Sequence, residues 1–194
     1  MRGMDTHVAA LVGSLRDASY TRSAAREVLD AAESRGATTD LIDPRELDLP
    51  VFDGDAREAG DATELTRRVG EADAILLATP VYHGSYSAPL KNALDYCGFD
   101  EFEHTTVGLL AVAGGSFPTS ALEHLRSVCR ALNAWVLPHQ AALPRVSSQF
   151  RDGELVDERM ADRVDTLGVR LVEYADIQPD PMTVEACENV GADD

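Results

Sequence analysis

The run DAILLATP, Asp73 to Pro80, is apolar at nearly every position between a charged residue and a proline. A strand with one face in water alternates apolar and polar side chains, so a run without alternation fits a strand covered on both faces. Helices provide that cover, and they come with parallel strands joined by crossover connections. This one segment therefore predicts strands and helices in alternation along the whole chain.

The rest of the sequence keeps to that order. His7 to Val12 is a short apolar run, after which Ala24, Ala25, Val28, Leu29 and Ala32 recur at helical spacing until Gly36 stops them. TTDLID, from Thr38, reads as a second strand, Pro44 to Gly60 as a loop, and Ala62 to Ala72 as a polar helix leading into the run. Ser87 can cap the next helix and Pro89 is tolerated in its first turn, with Leu90, Ala93, Leu94 and Cys97 on one face. TTVGLLAVAGG is the fourth strand, and Leu122, Leu125, Val128, Cys129 and Leu132 mark a helix. AWVLP, Ala134 to Pro138, is the fifth strand; Met160, Val164, Leu167, Leu171 and Val172 mark the last helix.

Five such strands with right-handed crossovers predict an α/β fold: a three-layer, flavodoxin-like, doubly wound sheet of five parallel strands in the order 2-1-3-4-5. The chain of 194 residues suits one core. Residues 1–177 are expected to form that domain, and residues 178–194 an acidic tail that is loose or partly docked.

Charge narrows the partners. There are 34 acidic and 17 basic residues, a net charge of −17, and Lys91 is the single lysine. Nucleic acid and anionic membrane both require a basic surface, so neither is an expected partner. The acids are spread along the chain, which we read as adaptation to a salt-rich cytoplasm, because salt screens such self-repulsion. The opening segment lacks the hydrophobic stretch of a secretory signal, and no run reaches the length of a membrane span. A cytoplasmic protein is expected. Cys97, Cys129 and Cys187 lie far apart, with no CxxC pair and no histidine at ligand spacing, so they read as free thiols and no metal site is expected.

In a doubly wound sheet, ligands bind beyond the carboxyl ends of the strands, beside strand 1, and three loops gather there. The first, GSLRDASYT, turns off strand 1 at Gly13 and offers the hydroxyls of Ser14, Ser19 and Thr21, the planar fork of Arg16 and the free amides of the next helix. That is a site for a compact anion such as a phosphate; the plain alternative is a helix cap beside a surface arginine. The second loop, TPVYHGSYSAPLKNALDY, puts Tyr82, His83, Gly84, Ser85 and Tyr86 after Pro80, flat side chains and hydrogen-bonding groups that suit a planar heterocycle. Lys91 and Asn92 are expected to face solvent or pair locally. The third loop, AVAGGSFPTS, ends strand 4 with Gly114 and Gly115, which permit close backbone approach.

The first two loops together resemble the NAD(P)H-dependent FMN reductases, a flavodoxin-like group that includes the FMN reductases of two-component monooxygenases and azo and chromate reductases. The resemblance covers Val8 to Phe150. It implies that Ser14, Arg16, Ser19 and Thr21 bind the FMN phosphate, and that Pro80, Val81, Tyr82, His83, Gly84 and Ser85 contact the ribityl chain and ring. Gly114 and Gly115 are then placed at the pyrimidine edge. Val81 and His83 stand where many members carry glutamate and asparagine, and Ala88 where glycine is frequent. The implied activity is a ping-pong relay of hydride from NADPH or NADH through FMN to a small-molecule acceptor, in a homodimer or homotetramer, with no protein general acid or base. The stretch from His139 to Val156 is then expected to form interface or lid. Two alternatives stay open: a flavodoxin-type electron carrier without substrate turnover, and a flavin-free protein that binds another phosphorylated ligand.

Overall fold

The computed structural model describes residues 6–103 and 105–175; the acidic tail lies outside them. Strands β1 (His7–Val12), β2 (Thr38–Ile42), β3 (Ala74–Pro80), β4 (Thr106–Val112) and β5 (Trp135–Val136) pair in the order β2-β1-β3-β4-β5, all parallel. Helices α1 (Tyr20–Glu33) and α5 (Glu158–Glu173) cover one face of this sheet; α2 (Ala62–Gly70), α3 (Ala88–Tyr96) and α4 (Thr119–Ala131) cover the other.

The two-residue period of a strand sorts the apolar run between those layers. Ala74, Leu76 and Ala78 of β3 join the α1/α5 core, while Ile75 and Leu77 join the α2/α3/α4 core. All five are fully buried, and each leucine or isoleucine so placed stabilises the fold by roughly 1.5–3 kcal/mol. Small residues set the spacing on the α1/α5 side. A Cβ on Gly168 of α5 would run into the carbonyl of Val28 and lie 2.8 Å from Ala31 Cβ, so glycine is what lets α5 pack directly on α1.

The fifth strand departs from the sequence expectation. It ends at Val136 rather than running through Pro138, and resumes as β6 (Ala141–Leu143), also parallel to β4. Pro138 has no N–H for the ladder, and the chain bulges there. Arg126 of α4 braces the bulge, with Nη2 donating to the Leu137 carbonyl at 2.9 Å and Nε to Gln140 Oε1 at 2.9 Å. Within the stretch from His139 to Val156, Ala141, Leu143, Val146 and Phe150 are buried in the core. A short hairpin of β7 (Phe150–Arg151) and β8 (Glu154–Leu155) leads into α5.

Asn92 also departs from expectation. Its side chain clamps the loop before α2, accepting from the Phe52 amide at 2.8 Å and donating to the Pro50 carbonyl at 2.8 Å. Lys91 pairs locally with Asp95. Cys97 and Cys129 are buried free thiols, each pushed up to about 12 by burial. Among the described residues, no cluster of His, Cys, Asp and Glu could hold a metal ion, and no helix is long and apolar enough to cross a membrane.

Candidate functional site

From β1 the chain crosses to α1 on one face; from β3 it crosses to α3 on the other. The two loops therefore diverge, and a crevice opens at the carboxyl edge between neighbouring strands. A cleft of about 200 Å³ lies there. Its walls contain Ser14, Arg16, Ser19 and Thr21 from the first loop and helix start, Pro80, Val81 and Tyr82 from the second, and Gly114 from the third. One site thus collects residues from all three predicted loops.

The first loop is built to present donors. Gly13 N–H donates to the Ala78 carbonyl at 2.8 Å, its carbonyl accepts from Ser87 Oγ at 2.6 Å, and the loop proper begins beyond these anchors. Gly13 does not adopt left-handed backbone. Its glycine is required by space, since a Cβ would meet Ser87 Oγ and lie 2.7 Å from Leu90 Cβ. Ser19 caps α1, accepting from the Arg22 amide at 3.1 Å. Among the described residues, no protein oxygen accepts from the backbone N–H groups of residues 14 to 21. Arg16 is exposed and its side chain makes no hydrogen bond or ion pair among the described residues, so the segment that supplies Ser14, Arg16, Ala18, Ser19, Tyr20 and Thr21 to the cleft wall carries donors without protein acceptors.

The second loop divides. Pro80, Val81 and Tyr82 line the cleft, whereas His83, Gly84 and Ser85 stand beside it. His83 and Gly84 have φ of 50° and 79°, and Tyr82 and Ser85 exchange two backbone hydrogen bonds of 3.1 Å across them. This is a two-residue turn of the kind that needs left-handed backbone at both central positions. Ser85 Oγ lies 3.0 Å from Nδ1 of His124 in α4, which fixes the turn to the helix. In the third loop Gly114 lines the cleft, while Gly115 is next to it and accepts from the Arg145 amide at 2.8 Å. No protein atom lies within 4 Å of a Cβ built on either glycine, and neither has left-handed backbone. Neither packing within the described residues nor conformation demands glycine there, and Gly114 stands in the cleft wall with open space around it.

Ala18, Tyr20, Val112, Val146 and Ser147 complete the walls and were not anticipated. Val146 and Ser147 arrive because β6 extends the sheet and the Val146 amide then donates to the Ala113 carbonyl at 3.0 Å. Tyr20 is held by Phe150, ring centroids 5.0 Å apart. Behind the loop lies a buried ion pair that sequence reading also missed: Arg22 Nε donates to Asp43 Oδ2 at 2.7 Å, with side chains 5% and 3% exposed. Burial pushes the Asp43 carboxyl up, but hydrogen bonds from Arg45 and Arg22 outweigh it and hold the group below the ordinary carboxylate range. A signal for Arg22 existed, because it stands three residues before Ala25 and seven before Leu29, on the buried face of α1.

Larger cavities lie elsewhere. One of about 620 Å³ is walled by Thr106, Trp135 and Tyr174 at the amino ends of β4 and β5, the edge at which such sheets do not bind ligands.

A doubly wound sheet with donors converging on the switch point defines a nucleotide- or flavin-binding α/β protein. Residues 6–147 match the family model described as NADPH-dependent FMN reductase. An FMN-dependent NADPH-azoreductase of Staphylococcus aureus is 32% identical over 138 residues, 68% of this chain and 73% of the relative. A flavoenzyme NAD(P)H:(acceptor) oxidoreductase from Paracoccus denitrificans shares the fold at a TM-score of 0.74 and 23% identity, covering 88% of this chain and 97% of that one. An NADH:FMN oxidoreductase in its apo form matches at 0.69 and 21%, covering 91% and 97%. The chain belongs to the NADPH-dependent FMN reductase family.

Proposed function

We propose that this cleft holds FMN and that the protein passes reducing equivalents from NADPH or NADH to a small acceptor such as a flavin, a quinone or an azo compound. The observation that carries the reading is the row of amides from residue 14 to residue 21 without protein acceptors, beside an unpaired Arg16, on the cleft used by this fold. A phosphate dianion fits that donor set, with Ser14, Ser19 and Thr21 adding hydroxyls. Pro80, Val81 and Tyr82 would flank the ribityl chain and ring, with the turn at His83, Gly84 and Ser85 holding Tyr82 in place. Gly114 and Gly115 leave room for the ring's polar edge.

FMN, when bound, supplies the hydride chemistry; the protein supplies position and electrostatics. Tyr82, 52% exposed at the mouth, offers a flat surface beside which donor and acceptor can alternate. An electron carrier without turnover has no support in the family matched. We further propose a cytoplasmic homodimer or homotetramer in a salt-rich cell. Its support is the charge of −17 and the exposed apolar Leu15 and Val51 around a cavity of about 490 Å³ beside the first loop.

The test is an anaerobic titration of FMN-loaded protein with NADPH and with NADH, followed by flavin absorbance. Bleaching by at least one nucleotide, and return of colour on adding a quinone or azo dye, is the expected result. Bound flavin that neither nucleotide bleaches would restore the carrier reading.

A further inference from the structure

We infer that Arg22 is a positioning residue for the anion site: its buried guanidinium turns the amides of the first loop toward the cleft, and Asp43 holds the guanidinium in the orientation that does so. The inference rests on the reading of the cleft as the FMN phosphate site.

Arg22 is 4% exposed, and neither it nor Asp43 forms part of the cleft wall. Its Nη2 donates to the Ser14 carbonyl at 3.1 Å, and its Nη1 to the carbonyls of Arg16 at 3.1 Å and Asp17 at 3.3 Å. In a planar trans peptide the C=O and the following N–H point in opposite directions. Capturing those three carbonyls therefore points the N–H groups of Leu15, Asp17 and Ala18 away from Arg22. Before the helix begins, the loop gives Ser14, Arg16, Ala18 and Ser19 to the cleft wall and Arg22 gives nothing, which places the loop between the guanidinium and the cleft; amides turned from Arg22 are then turned to the ligand side.

The same geometry removes what would repel an anion. Three carbonyl oxygens are drawn behind the loop, and the loop's carboxylate, Asp17, is met by Arg45 Nη1 at 3.1 Å. Arg45 also holds Asp43, Nη2 to Oδ2 at 3.0 Å, so two arginines and two carboxylates make a neutral frame. A guanidinium can span three carbonyls and a carboxylate with its fixed fork. An ammonium has three donors on one atom and cannot.

The test compares FMN with riboflavin, which has the same ring and no phosphate, in the full-length wild type and in Arg22→Lys, Arg22→Met and Asp43→Asn. Flavin fluorescence gives both affinities, and thermal melting without flavin reports the fold separately. Arg22→Lys is expected to weaken FMN by about ten- to a hundredfold, the scale of one or two charge-assisted hydrogen bonds, with riboflavin little changed. Asp43→Asn should move the same ratio in the same direction by less, and it carries the test if the Arg22 variants do not fold. A merely structural role lowers the melting temperature and leaves the FMN-to-riboflavin ratio at its wild-type value; that result in a folded variant overturns the inference. Wild-type protein that binds both flavins equally would instead overturn the phosphate reading itself, before any variant is compared.

Discussion

Ser87 Oγ donates to the Gly13 carbonyl at 2.6 Å, 74 residues away in sequence, while the same oxygen accepts from the Leu90 amide at 3.4 Å. One hydroxyl therefore caps α3 and pins the end of β1 where the first loop begins. Ser87→Ala removes a cap and leaves a buried carbonyl without its donor, for a loss of about 2 kcal/mol. For a chain of this size that is a fall of roughly 4–8 °C in Tm. Calorimetry on both proteins checks it, and an unchanged melting temperature would show that the contact contributes nothing.

Stability should rise with salt. At a net charge of −17 with a single lysine, repulsion among surface carboxylates opposes folding, and the Debye length shrinks from about 10 Å at 0.1 M to about 3 Å at 1 M. Melting temperatures across potassium chloride concentrations should climb over that range. A flat or falling series contradicts the salt-adaptation proposal.

Glu27 gives a prediction with a definite pH window. Burial, and then the charges of Asp165, Asp30 and Glu154, push its carboxyl above the ordinary 4.5, although the Leu155 amide donates to it at 3.1 Å and opposes the shift. A raised folded value means that the protonated form is favoured in the native state: the contribution is present below 4.5 and is lost as pH rises through the folded value. Glu27→Gln keeps an acceptor and mimics the protonated form at every pH. The variant should melt above wild type at pH 7, and the gap should close as pH falls to 4. A gap that widens toward acid would reverse the assignment.

Much of the fold was readable because its causes are local. The apolar run of β3, the alanine spacing of α1 and the Ser87 and Pro89 start of α3 each act over a few residues, and the strand order follows from alternation and handedness. The three loops were readable because their strands end at one edge. What escaped depends on partners distant in sequence. Pro138 looks like the end of a strand, and only pairing with β4 shows that Ala141 resumes it and carries Val146 and Ser147 into the cleft. Arg22 was not singled out, because its buried partner, Asp43, lies 21 residues on in the sequence. Asn92 reads as a helix residue that faces solvent or pairs locally until the loop around Pro50 closes over it. The left-handed backbone at His83 places that side chain at a turn tip rather than in the cleft wall, a conformational fact that residue type alone does not carry.

The central claim, that the segment from Gly13 to Thr21 cradles the phosphate of FMN, is tested most directly by titrating wild type and Arg16→Ala with FMN and with riboflavin. The Arg16 side chain is exposed and makes no hydrogen bond or ion pair among the described residues, so its removal should leave the fold intact. Wild type should prefer FMN. The variant should bind FMN about ten- to a hundredfold more weakly and riboflavin almost unchanged, since charge-assisted hydrogen bonds contribute on the order of 1.5–3 kcal/mol and about 1.4 kcal/mol is a factor of ten. Equal affinity of the wild type for the two flavins, or an equal loss of both in the variant, would contradict the account.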